Sequence, residues 1–312
     1  MSAVRTAAVV VTWEGGAVTD RCVRSLLAQD APLAEIIVVD NASGATERAR
    51  LRALWGGHPG VRLLLLDDNR QFAGGLNAGA AAAFAAGAER VLLLNNDTVV
   101  ATDAVRLLAD ALDRQPAAGI AGPCLLDARD PARVLSVGER HGVALLCVPR
   151  TLLRHRPRST APFAARGVMG SALMVTHPCF EAVGGYSPEI EVYYEEVDFC
   201  LTARARGFAI VVVPEAIVYH AGLRGFASGL TPWAAFLKAR NPWLVLRRHG
   251  SAANWLVFLP TYAALIAASV ALYALRRDPA VVRALGRGAR AGARAALGHG
   301  VEPVGAPVGA PR

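Results

Sequence analysis

Residues 91–97 read VLLLNND, four consecutive apolar residues that end in two amides and a carboxylate. A short apolar run without alternation is typical of a strand buried on both faces of a parallel sheet. In such a sheet, the polar residues that follow a strand lie at its carboxyl end, where open α/β folds bind ligands. This stretch therefore predicts a fold class and also the edge of the sheet that holds a site.

The same pattern recurs on both sides of this stretch. Further apolar strands are predicted at 7–12, 36–39, 61–66 and 120–125. Helical segments separate them, at 18–29, 74–86 and 103–114. Strands that alternate with helices predict an α/β domain with a doubly wound, mostly parallel sheet. After a loop-rich insertion at 127–166, regular structure is predicted again at 168–175, 177–183, 195–206 and 209–213.

The composition indicates a globular chain with some lipid contact. Hydrophobic residues make up 54% and charged residues 19% of the 312 positions, which excludes a disordered chain. The formal net charge of +8 is compatible with nucleic acid, anionic lipid or a phosphorylated substrate, and composition does not choose among them. Five scattered cysteines without CxxC or CxxxC spacing predict neither a disulfide framework nor a zinc cluster, so we expect a reducing compartment.

Eight motifs in a fixed order carry a family resemblance. They are VVVTWEGG (9–16), IIVVDNAS (36–43), NRQFAGGLN (69–77), VLLLNNDT (91–98), VMGSALMV (168–175), VGGYSPEI (183–190), YYEEVDFC (193–200) and PEAIVYHAG (214–222). With them, the chain resembles the family 2 glycosyltransferases of the GT-A fold, in particular their bacterial rhamnosyltransferase-like branch. The resemblance implies an inverting, metal-dependent transfer of a sugar from a nucleotide diphosphate to an acceptor hydroxyl.

The resemblance also implies a domain organisation. We expect a GT-A catalytic domain over 1–225, with a nucleotide-sugar half at 1–125 and an acceptor and catalytic half at 126–225. A helical, membrane-associating region is expected over 226–299. The residues at 300–312, rich in Gly, Pro and Val, are predicted to be a disordered tail.

Polar residues at three strand ends are predicted to bind the donor. They are Thr12, Glu14, Asp40, Asn41, Asn95 and Asn96. The resemblance assigns the carboxylate of Asp40 to the imide N–H of a uracil or thymine ring. The alternative is that Asp40 and Asn41 start a turn or cap a helix.

The glycine-rich segment before the third predicted helix adds Gly74, Gly75 and Asn77 to the donor site. Glycines let the backbone approach a ligand closely, and a helix start offers free N–H groups. The alternative is that the glycine pair forms only a turn.

Asp97 is the predicted metal ligand. A divalent cation neutralises the charge that grows on a leaving diphosphate, and Mg²⁺ or Mn²⁺ prefers hard oxygen ligands. Many relatives have two aspartates here, whereas this chain has one carboxylate after two amides, so substrate phosphates and water must complete the coordination. The resemblance adds His220 as a second ligand or a pyrophosphate contact. The alternative role for Asp97 is to cap the helix that begins near Asp103.

Three acids, Glu195, Glu196 and Asp198, begin a predicted helix and are the candidate catalytic residues. Inverting transfer needs one base to take the proton of the acceptor hydroxyl. The resemblance assigns that base to Glu196, where many relatives have aspartate, and leaves Glu195 and Asp198 to hold the loop or contact the acceptor. The alternative is an ordinary acidic first turn, which the helix dipole favours.

The segment at 250–275 contains no charged residue and is long enough to cross a bilayer. Arginines flank it on both sides, and the following Arg283, Arg287, Arg290 and Arg294 share one helical face. A full span would carry this basic tail to the far side, against the usual placement of positive charge. An interfacial or re-entrant position on anionic lipid is therefore favoured, with a span and a buried helical hairpin as alternatives.

These observations predict a sugar transfer in cell-envelope polysaccharide synthesis. The expected donor is dTDP-rhamnose or a UDP-sugar, and the expected acceptor is a saccharide or a polyprenyl-diphosphate-linked saccharide. We expect the chain in the cytoplasm at the inner face of the plasma membrane, without a nucleic acid partner, and the oligomeric state is not predicted. Two alternatives stay open: a catalytically silent glycosyltransferase-like binding module at the membrane, and a nucleotidyltransferase, whose basic activating loop the chain lacks at 14–16.

Overall fold

The computed structural model describes residues 5–140, 159–221 and 229–301. The strands of this part form one sheet. In chain order they are β1 (Thr6–Thr12), β2 (Glu35–Asp40), β3 (Val61–Leu65), β4 (Arg90–Asn95), β5 (Thr98–Val100), β6 (Ala118–Asp127), β7 (Val134–Ser136), β8 (Phe163–Ala165), β9 (Ala172–Thr176) and β10 (Ala209–His220). Their order across the sheet is β3-β2-β1-β4-β9-β6-β10-β5, with β7 beside β6 and β8 beside β10.

The longest strand pairs are parallel. β3, β2, β1 and β4 run in one direction, as do β6 and β10, whereas β9 lies antiparallel between β4 and β6. The predicted α/β fold with a mostly parallel sheet is confirmed, and the reversal at β9 was not predicted. Because β1 is paired with both β2 and β4, the polar residues that end these three strands lie at the same edge.

Helices cover both faces of the sheet. They are α1 (Gly16–Leu27), α2 (Ala45–Trp55), α3 (Gln71–Ala85), α4 (Ala104–Arg114), α5 (His177–Val183), α6 (Glu195–Ala205), α7 (Pro232–His249), α8 (Ala252–Leu275) and α9 (Pro279–Ala296). Alternate residues of β1 enter different cores, with Val9 and Val11 on one face and Ala8 and Val10 on the other. Both faces are buried, which explains why the strands read as continuous apolar runs.

The C-terminal helices pack on one another. Tyr262 of α8 donates its hydroxyl proton to the carbonyl oxygen of Ala239 at 2.7 Å, and the hydroxyl of Tyr273 accepts the N–H of Leu230 at 2.7 Å. The other side of α8 is open, with Leu256 76% exposed. Within the described residues, α8 is the one helix long and apolar enough to cross a membrane.

Several predicted segments lie partly outside the described residues. In the predicted insertion, β7 and β8 are described, whereas 141–158 is not. The segment 222–228, which contains the predicted domain boundary at 225, and residues 302–312 of the predicted tail also lie outside. Four cysteines are buried free thiols, namely Cys22, Cys124, Cys179 and Cys200.

Candidate active site

Thr12 and Asn96 meet at a buried polar cluster between β1 and α1. The Thr12 hydroxyl lies 2.8 Å from that of Thr19, and the Asn96 amide nitrogen donates to both hydroxyls at 3.2 and 3.0 Å. A Cβ on Gly15 would lie 2.2–2.3 Å from these same groups. Glycine at 15 therefore lets the loop after β1 close over the cluster, and Asn96 holds the end of β4 against β1.

Asp40 lies at the predicted strand end, but its carboxylate is completely buried. One oxygen accepts the Arg48 Nε–H at 2.8 Å, and the other accepts the backbone N–H of Ser43 at 3.2 Å. Arg48 also donates to the carbonyl of Leu66 at the end of β3. In this structure Asp40 thus fixes the turn after β2, as the alternative interpretation held, and its contact with a nucleobase stays a prediction.

Glu14 and Asn41 join neighbouring loops of the donor side. Glu14 adopts a left-handed φ of 52°, its N–H donates to the Ser43 hydroxyl at 2.9 Å, and its carboxylate accepts the N–H of Gly44. Asn41 donates to the carbonyl of Gln71 at 2.9 Å and accepts the N–H of Arg70 at 2.9 Å. The start of α3 is therefore held directly against the end of β2.

The glycine pair of α3 has a packing role that was not predicted. A Cβ on Gly75 would lie 2.7 Å from Val11 of β1, and a Cβ on Gly74 would lie 2.6 Å from the side chain of Arg70. Asn77 uses both ends of its amide on the backbone of Tyr186, donating to the carbonyl and accepting the N–H at 2.8 Å each. Contacts of Gly74, Gly75 and Asn77 with the donor stay predictions.

The structure brings the two predicted metal ligands together. The Oδ1 atom of Asp97 lies 3.0 Å from the Nε2 atom of His220, because the antiparallel pairing of β5 with β10 places the ends of these strands side by side. Asn95 lies beside them, with its amide nitrogen 3.4 Å from the same His220 nitrogen. Asn95 Oδ1 and His220 Nδ1 are buried and have no hydrogen-bond partner.

This arrangement fits a divalent cation that is shared with a substrate. Asp97 and Asn95 offer hard oxygens and His220 a ring nitrogen, a donor set suited to Mg²⁺ or Mn²⁺. Across the described ranges, no group of three or more His, Cys, Asp or Glu residues surrounds a possible ion position. Metal binding by Asp97 and His220 therefore stays a prediction, and a cation held by them would need further ligands, such as the oxygens of a diphosphate.

Glu195 and Glu196 begin α6 directly after two residues with left-handed backbone, Tyr193 at φ 63° and Tyr194 at φ 72°. Burial raises the pKa of Glu196, while the backbone N–H groups of Glu196 and Val197 partly offset this effect. Burial, followed by the charge of Glu196, raises the pKa of Glu195 well above its ordinary value. The side chain of Glu196 is half-buried, whereas Glu195 is almost covered.

Gly170 and Ser171 connect the two acidic centres. The carbonyl of Ser171 accepts the N–H of Asn95 at 3.0 Å, beside the Asp97 pair. One residue earlier, a Cβ on Gly170 would lie 3.0 Å from the Cβ of Glu196. The VMGS segment before β9 thus contacts both the end of β4 and the start of α6, and the shared pocket of Asp97 and Glu196 stays a prediction.

Asp198 is engaged by the basic end of α7. Its Oδ1 atom lies 2.8 Å from Arg248 Nε and 2.7 Å from His249 Nε2, and the carboxylate is buried. These ion pairs attach α7 to α6, and the predicted roles of Asp198 in holding the loop or contacting the acceptor stay predictions.

One acidic residue, Glu139, and one basic residue, Lys238, were not predicted as part of this region. Glu139 is buried beside Ser136, whose hydroxyl donates to it at 2.7 Å, and burial raises its pKa to about 7. Lys238 of α7 lies with its ammonium 4.7 Å from the ring centroid of Tyr193. The available signal was compositional, since Lys238 is the only lysine in the sequence.

The mixed, mostly parallel sheet with helices on both faces has the GT-A fold of glycosyltransferases. The chain belongs to the family described as Glycosyltransferase like family 2, whose model matches residues 4–245. It is 25% identical over 224 residues to the dTDP-rhamnosyl transferase RfbF of Shigella flexneri, covering 69% of this chain and 71% of that protein. It is 28% identical over 233 residues to an N-acetylglucosaminyl-diphospho-decaprenol L-rhamnosyltransferase of Mycobacterium tuberculosis, covering 68% and 74%.

Solved structures with low sequence identity support the fold. A mannosyltransferase from Pyrobaculum calidifontis, in complex with GDP-Man and Mn²⁺, matches with a TM-score of 0.56 and 20% identity over 93% of this chain and 87% of that one. GalNAc-T7 with UDP, GalNAc and Mn²⁺ matches with a TM-score of 0.58 and 17% identity, covering 78% of this chain and 47% of that one. The chain is a glycosyltransferase with a rhamnosyltransferase-like sequence.

Proposed function

We propose that the chain is an inverting, metal-dependent glycosyltransferase in which Glu196 is the general base. The acceptor hydroxyl attacks the anomeric carbon of the donor sugar and gives its proton to the Glu196 carboxylate. The bond between that carbon and the diphosphate oxygen breaks, and its electron pair leaves with the diphosphate. The configuration at the anomeric carbon is thereby inverted, and no second carboxylate is needed as a nucleophile.

The observation that carries this proposal is the contact of the Gly170–Ser171 segment with both acidic centres. Ser171 is bonded to Asn95 at 3.0 Å, and Gly170 packs directly against Glu196. In this proposal, a donor whose diphosphate meets Asp97 presents its sugar toward the half-buried carboxylate of Glu196. Burial raises the pKa of Glu196, and a carboxylate with a raised pKa is a stronger base toward the acceptor hydroxyl.

Asp97 and His220 would hold the cation, with Asn95 Oδ1 beside them. The cation would supply neutralising charge to the leaving diphosphate. Of the chain's own residues, Asn96 keeps the end of β4 in place, through its hydrogen bonds to Thr12 and Thr19. Mg²⁺ and Mn²⁺ both match this donor set.

We further propose dTDP-rhamnose as the donor, with UDP-sugars as the second choice. The support is the sequence similarity to two rhamnosyltransferases, one of which is named for its dTDP-rhamnosyl transfer. Asp40 ends β2 beside Thr12 of β1, so we place the base and ribose at the carboxyl ends of these two strands. A nucleobase contact at Asp40 requires the carboxylate to become accessible beside Arg48.

For the acceptor, we propose a saccharide or lipid-linked saccharide of the cell envelope, reached from the cytoplasmic face of the plasma membrane. A relative acts, by its name, on a decaprenol-linked substrate. The open side of α8 is apolar, and α9 carries a groove of about 530 Å³ lined by Val282, Arg283, Gly286, Arg287 and Arg290. An apolar helix beside exposed arginines fits an anionic bilayer surface.

The catalytic proposal is tested by a donor screen. Purified protein is incubated with dTDP-rhamnose and a panel of UDP-sugars, with Mg²⁺ or Mn²⁺, and release of the nucleoside diphosphate is measured. We expect Glu196→Gln to lower kcat by about 10²-fold or more, whereas Glu181→Gln, an exposed glutamate on α5, leaves it unchanged. If Glu196→Gln turns over like the parent, Glu196 is not the base.

Metal binding has a separate readout. Mn²⁺ binding in the presence of dTDP is followed by the loss of the free-ion electron paramagnetic resonance signal. Asp97→Ala should weaken this binding at least about tenfold, because it removes the charged ligand. Equal Mn²⁺ affinity in the parent and in Asp97→Ala would exclude Asp97 as a ligand.

Membrane association is tested with vesicles. We expect co-sedimentation with vesicles that contain phosphatidylglycerol, weakened by salt and by Leu256→Glu on the open side of α8. Leu27→Glu changes another exposed leucine, on α1, and serves as the matched control. Equal sedimentation of both variants would refute the proposed surface.

A further inference from the structure

The chain contains one lysine and otherwise only arginine among its 33 Lys and Arg residues, and this lysine lies against Tyr193, three residues before the proposed base. Lys238 projects from α7, is half-buried, and has its ammonium 4.7 Å from the centroid of the Tyr193 ring. An ammonium is a compact point charge, whereas a guanidinium is a broad planar group. Burying such a charge is costly unless nearby groups compensate it.

Helix α7 holds the turn that leads into the predicted base. Asn241 is fully buried and donates both amide hydrogens to carbonyls of this turn, to Val192 and Tyr193 at 2.8 Å each. Arg240, also fully buried, forms an ion pair with Glu191 at 2.9 Å. A left-handed backbone at a residue other than glycine persists only where the surroundings hold it. The clamp by α7 accounts for the conformation of Tyr193.

The same helix, α7, brings a positive charge to the turn before Glu196, because the Lys238 ammonium lies 4.7 Å from the ring of Tyr193, three residues earlier. Burial lowers the pKa of Lys238, and the charge of Glu196 raises it again. The acidic neighbours of Glu196 are Glu195, also on α6, and Glu139, which follows β7. Burial raises the pKa of both. A cation beside this group of carboxylates favours the ionised form of Glu196.

We propose that Lys238 is a positioning residue of the active site, held over Tyr193 by α7 so that its charge keeps Glu196 ionised and oriented for proton removal. The effect on catalysis rests on the proposed role of Glu196 as the base. The interaction between the charges of Lys238 and Glu196, called the charge pair below, does not depend on that role. In the reaction, the acceptor proton goes to the Glu196 carboxylate, and the ammonium of Lys238 keeps its own three protons. Lys238 touches no reacting atom in this scheme.

The single lysine makes a direct test possible. Protein grown on lysine labelled with ¹³C at the ε carbon gives one lysine signal, and its chemical shift is followed against pH. We expect Glu196→Gln to lower the titration midpoint of this signal by about half a unit to one unit, because the counter-charge is lost. Glu181→Gln makes the same change in net charge at an exposed position and should leave the midpoint in place. If both variants titrate alike, the pair does not exist and the proposal is overturned.

The catalytic consequence is measured separately from the pH profile of donor hydrolysis. Lys238→Met should move the acid limb of the kcat/KM profile to higher pH by about half a unit to one unit. Lys238→Arg keeps the positive charge and should leave the acid limb near its parental position. Tyr262→Phe removes a buried hydrogen bond to the same helix and should leave the limb unmoved. If Lys238→Met lowers kcat/KM by the same factor at every pH, the role of Lys238 is purely structural and the proposal is wrong. If no donor is hydrolysed, the proposed function fails, while the lysine signal still decides the charge pair.

Discussion

Gly170→Ala should damage catalysis more than folding. The new Cβ would lie 3.0 Å from the Cβ and 3.4 Å from the Cγ of Glu196, and 3.5 Å from Oε1 of Glu195. Carbon atoms in normal contact lie about 3.5–4.0 Å apart, so Glu196 must move by about half an ångström to one ångström. A misplacement of about one ångström costs about 10²-fold in rate, and we therefore expect kcat to fall by about 10-fold to 10²-fold. Overpacking of one methyl group should cost about 1–2 kcal/mol of stability.

The assay is nucleoside diphosphate release at saturating donor, with thermal unfolding measured on the same preparations. Gly57→Ala is the matched control, because Gly57 is exposed and a Cβ there meets no atom within 4 Å. We expect the control to keep both kcat and Tm. Parental kcat in Gly170→Ala would show that this glycine does not set the position of Glu196. A loss of kcat that only follows the loss of folded protein would refute the reasoning equally.

Three further outcomes follow from single side chains. Glu139→Gln should raise the unfolding free energy at pH 8 by at most about 3 kcal/mol and change it little near pH 4. The pKa of Glu139 is about 7 in the folded state and lower in the unfolded state, so the ionised group destabilises the fold increasingly as the pH rises from the unfolded to the folded pKa. Denaturant titrations at several pH values measure this difference. Asn77→Ala should cost about 2–4 kcal/mol, because it leaves the N–H and carbonyl of Tyr186 unpaired, and equal Tm values would contradict this. Asp198→Asn should lower Tm while the kcat of the folded fraction stays near the parental value, whereas a large loss of kcat would indicate an acceptor contact.

The strands could be predicted because their signal is local. Runs such as VLLL at 91–94 are buried on both faces, and the polar residues after them mark the active edge. The reversal at β9 could not be predicted, because an apolar run does not record its direction. The bounds of helix α2 were not predicted, since Glu47, Leu51 and Trp55 are its only buried residues among many charges.

The site was predicted as a set of strand ends, and its internal contacts were not. Asp97 and His220 are far apart in the sequence, and only the family resemblance paired them before the structure showed them 3.0 Å apart. The cover of Asp40 by Arg48 depends on α2, whose bounds were not predicted. The contribution of α7 gave no motif of its own, because Lys238 acts across the fold on a turn that precedes it by more than forty residues.

Helix α7 also connects the catalytic turn to the apolar helix that follows it. Asn241 donates two hydrogen bonds to the turn before Glu196. Two residues before Asn241, the carbonyl of Ala239 accepts a hydrogen bond from the Tyr262 hydroxyl of α8 at 2.7 Å. Close-packed interiors transmit displacements and do not absorb them. A bilayer that fixes α8 would therefore also fix the height of Glu196 above the lipid. An acceptor hydroxyl that is carried at that height, as on a lipid-linked saccharide, would need no further ordering to reach the base.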